Sequence, residues 1–292
     1  MTTRTAEADS SAVVGLPSEP PAGIRFRRRL GLREAMVELW RSRELIRTLV
    51  ERDLRVRYKR TVLGFGWAIL GPVVFMLVFT LFFQRAGHFA TGHVPYPLFS
   101  YIALVPWTFF SEAASLAGVS LISNLPLLNK VYCPREVFPI ASTITAAFDA
   151  VMSTTVLLVL FAAYQYPPRL ATLWTPLLIA VEVAFALGFG LFASSTLIYL
   201  RDLRYIVPMV VQVGMFASPV AFGLSVIPAG LRPLYAAIDP LAPVLDGFRR
   251  TVLHGLTPEW GLLGIAALAS FAWLIGGYAL FKRLETRFAD FA

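Results

Sequence analysis

The chain has 292 residues, 57% of them apolar and 15% charged, with a net charge of +8 and a mean hydropathy of +0.66. Soluble domains carry about 45–50% apolar and about 25% charged residues, so this composition excludes an ordinary water-soluble fold and predicts an all-α integral membrane protein. The single cysteine, Cys133, excludes an internal disulfide and a multi-cysteine metal site.

Residues 1–24 are rich in Ala, Ser, Pro, Glu and Thr and read as a disordered cytoplasmic tail. No apolar run follows a basic start there, so no cleaved signal peptide is expected. Thirteen of the 26 Lys and Arg residues fall within the next segment, 25–60. Apolar residues recur in it at Leu32, Ala35, Met36, Leu39, Leu45, Ile46, Leu49, Val50, Leu54 and Val56, with Arg and Glu between them. Steps of three and four predict a basic amphipathic helix lying in the membrane interface plane, carrying Arg52, Asp53, Arg55, Arg57 and Tyr58. Such a helix anchors to the membrane surface, docks a partner, or does both. The basic residues lie beside apolar runs, which fits topology and anionic lipid rather than nucleic acid.

Apolar runs near the length of a membrane helix, about 20 residues, follow in 61–292. They are Val62–Phe83, Leu98–Leu121, Val137–Tyr164, Leu173–Leu200, a run within Tyr205–Leu231, and Trp260–Phe281. Six spans place both termini on one side. Twenty-one Lys and Arg then share that side and five the other, so the positive-inside rule makes the termini cytoplasmic. Glycines Gly64, Gly66 and Gly71 are expected to allow close helix packing in the first span. The loop NLPLLNKVYCPREVFP, between spans two and three, predicts a short cytoplasmic helix near Leu127–Tyr132. Segment 226–254 is too polar to span and too apolar for a free loop, and its prolines predict short helices at the outer face.

Three carboxylates, Glu112, Asp149 and Glu182, fall inside spans, where ionisable groups are costly and usually functional or paired. No basic residue lies in a span to pair with them, and ion coupling is one role for such groups. Aromatic residues load the first span. Phe75, Phe79 and Phe82 share a helical face, and Gln212, Met215 and Phe216 lie on a similar face of the fifth span. Sugar rings stack their C–H faces on aromatic faces, so these residues are candidate pore lining. No GxxxxGK[ST] motif occurs, so the chain does not bind ATP in the P-loop manner. A membrane enzyme would need clustered carboxylates or histidines near a membrane face, and the sequence shows no such cluster.

Four stretches occur in a characteristic order: DLRVRYKRTVLGFGWAILGP at 53–72, LLNKVYCPREVFP at 127–139, LRDLRYIVPMVVQVGMFASPV at 200–220 and IDPLAPVLDGFRRTVLHG at 238–255. With them the chain resembles the membrane subunit of an ABC type-2 exporter, in the branch that exports polysaccharides such as O-antigen, capsule and teichoic acid. The resemblance covers about residues 30–285. It implies a homodimer in the bacterial plasma (inner) membrane, two copies of a separate nucleotide-binding subunit that carries ATP and Mg, and a lipid-linked glycan as substrate. It implies no catalytic site in this chain. It further implies that Leu127, Leu128, Asn129, Lys130, Val131, Tyr132, Pro134 and Arg135 resemble a coupling helix. Asp239, Pro240, Arg249 and Arg250 would then belong to an external gate, the two arginines being surface charge or contacts to acidic groups of the polymer. The alternative within the same class is an exporter of drugs or small lipids.

Overall fold

The computed structural model describes residues 32–59, 61–86, 94–128, 133–167 and 169–285. The expected tail at 1–24 lies outside them. Among the described residues every regular element is helical. A helix satisfies its own backbone, which an apolar solvent demands. The amphipathic segment forms α1 (Leu32–Arg41) and α2 (Arg43–Tyr58). They are divided at Ser42, whose hydroxyl donates back to Glu38 O at 2.9 Å. Next come α3 (Gly66–Ala86), α4 (Tyr96–Ser123), α5 (Leu125–Leu128) and α6 (Val137–Ala163). A 3-10 turn at Leu170–Trp174 leads into α7 (Thr175–Leu197), followed by α8 (Leu203–Ala217). Short helices α9 (Arg232–Ile238) and α10 (Leu241–Phe248) precede α11 (Trp260–Glu285). A π-helical turn, Arg249–His254, extends α10.

Four described helical stretches are long and apolar enough to cross a membrane: Tyr96–Ser123, Val137–Ala163, Leu170–Leu197 and Trp260–Glu285. Gly66–Phe82 and Leu203–Ala217 are shorter apolar helices. The expected first span begins four residues later than its apolar run, at Gly66, after a turn through Gly64 in the left-handed region (φ +52). The expected fifth span stops being helical at Ala217.

Helix α4 is the central post, packed against α3, α6, α7 and α8. Its Phe110 stacks on Phe185 of α7 with ring centroids 4.8 Å apart, and Phe185, Phe189 and Phe192 surround Trp273 of α11. Much of the aromatic content is therefore internal packing rather than lipid-facing surface. Helices α7 and α11 approach until their backbones touch. A side chain added at Gly188 would overlap the Trp273–Leu274 backbone, and one at Gly277 would overlap Gly188 O. The close-packing role expected of Gly64, Gly66 and Gly71 falls instead to this pair. Nothing lies within 4 Å of a side chain built at Gly64 or Gly71.

Helix α2 packs along α6. Leu49 packs among Leu121, Val137, Phe138 and Phe281, at the ends of α4, α6 and α11. Nine residues later Tyr58 donates to Asp149 Oδ1 at 2.5 Å. Asp149 is twelve residues along α6 from Val137, about 18 Å at about 1.5 Å per residue. Helix α2 therefore climbs beside α6. Its apolar stripe is buried against the ends of α4, α6, α7 and α11.

Gly188→Val should lower stability by about 3 kcal/mol, because the added methyl groups have no void to enter. Thermal unfolding of the detergent-solubilised chain checks this. Gly71→Ala, at an open position of α3, should leave the midpoint within about a degree of the parent.

Candidate functional site

The end of α2, the start of α3 and the middles of α4 and α6 enclose a polar cleft. Pro72 sits inside α3 and supplies no N–H to Ala68 O. Ser153 Oγ of α6 lies 2.9 Å from that carbonyl, fixing α3 beside α6. Arg57 reaches in from α2. Its Nη1 donates to Glu112 Oε1 at 2.9 Å and also to Asp149 Oδ2. Two of the three carboxylates with no cation in their own spans thus share one from outside the spans. No pattern within a single element signals this contact, since Arg57 is 55 residues from Glu112 and 92 from Asp149. Burial pulls the Arg57 guanidinium toward neutrality, and Glu112, Tyr58 and Asp149 outweigh it, so its pKa ends above the ordinary value.

The cleft forms two adjoining cavities. One, of about 160 Å³, is lined by Trp67, Pro72, Phe75, Phe109, Glu112 and Asp149. The other, of about 370 Å³, is lined by Arg57, Tyr58, Thr61, Trp67, Ala68 and Glu112. Glu182, the third carboxylate, is buried on α7, and its Oε1 has no hydrogen-bond partner among the described residues.

Of the candidate pore residues, Phe75 and Phe82 are exposed on α3, and Gln212 and Phe216 are exposed on α8. Phe79 and Met215 are buried. The Phe79 ring meets Phe216 edge-on at 6.2 Å and Phe75 at 6.3 Å, so α3 and α8 join in one aromatic seam. Of the interface-helix residues, Arg52 pairs with Asp53 at 2.7 Å on the exposed side, and Arg55 is exposed. Arg57 and Tyr58 enter the cleft.

At the opposite end, α8 stops at Ala217 and the chain runs without helix to Gly223. Each carbonyl from Ala217 to Phe222 finds a donor. Tyr235 Oη serves Ala217 O, and Val220 N serves Ser218 O at 2.7 Å. Arg249 Nη1 serves Pro219 O at 2.6 Å and Phe222 O at 2.8 Å, and its Nη2 serves Val220 O at 2.5 Å. Tyr96 Oη serves Ala221 O at 2.8 Å. The Arg249 guanidinium also lies 4.0 Å from the centre of the Phe99 ring. Arg249 is therefore neither surface charge nor open to polymer. Burial draws its pKa down to about 10, against the opposing pull of Asp246 and Tyr96, so it stays cationic at neutral pH. Asp239 accepts from Ser218 Oγ and from Leu241 N at 3.1 Å. Burial raises the Asp239 pKa, while those two donors and Ala242 N pull it back. Pro240 is buried behind it, and Arg250 Nε donates to Thr257 O at 3.2 Å. Pro219 was the sequence signal for this knot, because a break within an apolar run leaves carbonyls that some side chain must serve.

In the candidate coupling segment, Asn129, Lys130, Val131 and Tyr132 lie outside the described residues. Leu127 and Leu128 pack with Leu49, Phe138 and Phe281. Pro134 and Arg135 are half-buried, and Arg135 Nη1 donates to Glu285 O at 2.8 Å. The neighbouring Glu136, buried, pairs with Lys282, which also meets Glu285 at 2.9 Å. The segment is thus tied to the end of α11, a link that nothing in the local pattern announces.

Arg57→Gln should destabilise the fold by about 3 kcal/mol, leaving two carboxylates without their cation. Adding Glu112→Gln and Asp149→Asn should recover more than half of that loss in thermal unfolding. Arg249→Met should cost about 4 kcal/mol, because three backbone carbonyls lose their donors. Arg249→Lys, which keeps the charge but not the fork, should fall between Met and the parent.

Residues 44–253 match the model of a protein family described as ABC-2 type transporter. The chain is 28% identical to the O-antigen export system permease protein RfbA of Myxococcus xanthus over 255 residues, covering 87% of this chain and 97% of that protein. It is 26% identical to an O-antigen export system permease protein RfbA of Klebsiella pneumoniae, over 85% of this chain and 94% of that one. It is 25% identical to the polysialic acid transport protein KpsM of Escherichia coli, over 82% of this chain and 93% of that one. A match over most of the chain, on an all-helical fold with several apolar helices long enough to cross a membrane, means that the protein belongs to the ABC-2 type transporter family.

Proposed function

We propose that this chain is the membrane-spanning pore subunit of an ATP-driven exporter that moves a lipid-linked polysaccharide out of the cytoplasm. The observation that carries the reading is near full-length similarity to export permeases of two different polysaccharides, O-antigen and polysialic acid. The aromatic seam of α3 and α8 supports it. Phe75, Phe82 and Phe216 present rings outward beside Gln212. Aromatic faces hold sugar rings by weak, repeatable stacking, as a sliding polymer requires. A second copy facing this seam would enclose a path lined on both sides, which favours the homodimer.

In this reading α3 and α8 complete a set of six spans, with both termini in the cytoplasm of a bacterial cell. Helix α8 has 15 residues, about 22 Å against a hydrocarbon core of about 30 Å. The stitched turn 217–222 and helices α9 and α10 make up the remaining depth. ATP and Mg belong to two copies of a separate nucleotide-binding subunit. That subunit presses on the segment around Leu127–Arg135 and on α1–α2, both seated on the same packed end. The Arg135–Glu285 and Glu136–Lys282 contacts pass that motion to α11. The Arg57 contacts pass it to α4 and α6.

Depletion of the protein in its source cell, followed with a radiolabelled sugar precursor, tests the function. Lipid-linked glycan should accumulate on the cytoplasmic side while surface glycan falls. Unchanged partitioning would overturn polysaccharide export and favour a drug or small lipid as cargo.

A further inference from the structure

The two cavities of the cleft share Trp67, Ala68 and Glu112 in their linings. A network serving only stability would close around its charges. Here the Trp67 residue is 53% exposed and the Glu112 side chain 42% exposed, while Asp149 behind them is sealed at 3%. Trp67 and Glu112 therefore line one accessible recess, which Phe75 and Phe109 line as well. Asp149 is spent on Tyr58 and Arg57, and Arg57 on the two carboxylates. Glu112 meets Arg57 through Oε1, and with its side chain 42% exposed it stays open to a further donor.

This chemistry selects its ligand. Two carboxylates beside one guanidinium repel a phosphate or a carboxylate. A wholly apolar ligand would desolvate Glu112 without giving it a donor. A neutral ring with an apolar face and hydroxyls on its edge satisfies both residues: the ring stacks on the indole and a hydroxyl donates to the carboxylate. We propose that the cleft between α2, α3, α4 and α6 is a binding subsite for one neutral sugar residue of the exported glycan, stacked on Trp67 and hydrogen-bonded to Glu112. This assignment rests on the export reading above and gives Glu112 a ligand-binding role. Helix α2 carries Arg57, so tilting α2 would change how far Glu112 is engaged by the guanidinium and hence how tightly the sugar is held.

The test places the photoreactive amino acid p-benzoylphenylalanine at Trp67, and separately at Thr108 in the same cavity, in the full chain in its source cell. The glycan is labelled with radioactive sugar, and the chain is purified under denaturing conditions after irradiation. Radioactive glycan should be attached to the chain from both cleft positions and not from Val159, on the exposed face of α6. Adding Glu112→Gln should lower the adduct yield at Thr108 by about tenfold, the worth of one charged hydrogen bond, at an unchanged level of chain in the membrane. No adduct from either cleft position, with adduct from a probe at Phe216, overturns the subsite and leaves the export function standing. No adduct anywhere, with surface glycan unaffected by depletion, overturns both. Equal adduct yields with and without the Glu112→Gln substitution leave an aromatic path through the cleft and overturn the carboxylate contact.

Discussion

Backbone carbonyls in an apolar medium must find donors inside the protein, and in this chain that constraint is most severe where α8 ends. Six consecutive carbonyls, from Ala217 to Phe222, leave the helical ladder at once. In an apolar medium each such group left without a donor would cost several kcal/mol. Arg249 meets half of this demand with one side chain, because the guanidinium fork presents several N–H groups in fixed directions. Tyr96 and Tyr235 supply two more donors from α4 and α9. The short helices α9 and α10 are therefore not appendages. Their placement follows from the need to bring Arg249 and Tyr235 to the end of α8.

The same economy of polar groups appears at the other end in a different form. There the problem is charge rather than backbone. Glu112 and Asp149 sit well inside long apolar helices, where an isolated carboxylate is unfavourable. One guanidinium serves both, and it arrives on an amphipathic helix that is itself held by apolar packing around Leu49. Helix α2 is thus fixed at two points of opposite character, an apolar seat near its middle and an ion pair at its end. A push on α1 and α2 has a direct mechanical route to α4 and α6. Glu136 and Lys282 give the segment before α6 a similar route to α11.

Between these two ends the bundle is stiff. Helices α7 and α11 approach to backbone contact through Gly188 and Gly277, and α4 joins them through the stack of Phe110 on Phe185. Interiors packed this way transmit displacement instead of absorbing it. The faces of α3 and α8 are different. They meet through Phe79 and Phe216, and beside that contact Phe75, Phe82 and Gln212 are exposed. A rigid scaffold of α4, α7 and α11 beside an open seam of α3 and α8 is an arrangement suited to movement at the seam.

The sequence by itself determined the class of the protein, because hydropathy is additive along the chain and needs no knowledge of contacts. It gave the apolar runs, the basic flank, the amphipathic period of 32–59 and the aromatic faces of α3 and α8. Four stretches in order were enough to indicate the family. Its local patterns also marked where regularity would fail, at Pro72 and after Pro219, without saying what would repair it. Only the tertiary structure decided that Arg57 serves Glu112 and Asp149, that Arg249 faces inward to carbonyls, and that Gly188 rather than Gly71 is the tight contact. It alone placed α2 alongside α6. The reason is common to all four. Each depends on a pairing between residues about thirty to one hundred and fifty positions apart, and no periodicity within one element encodes which distant group will arrive.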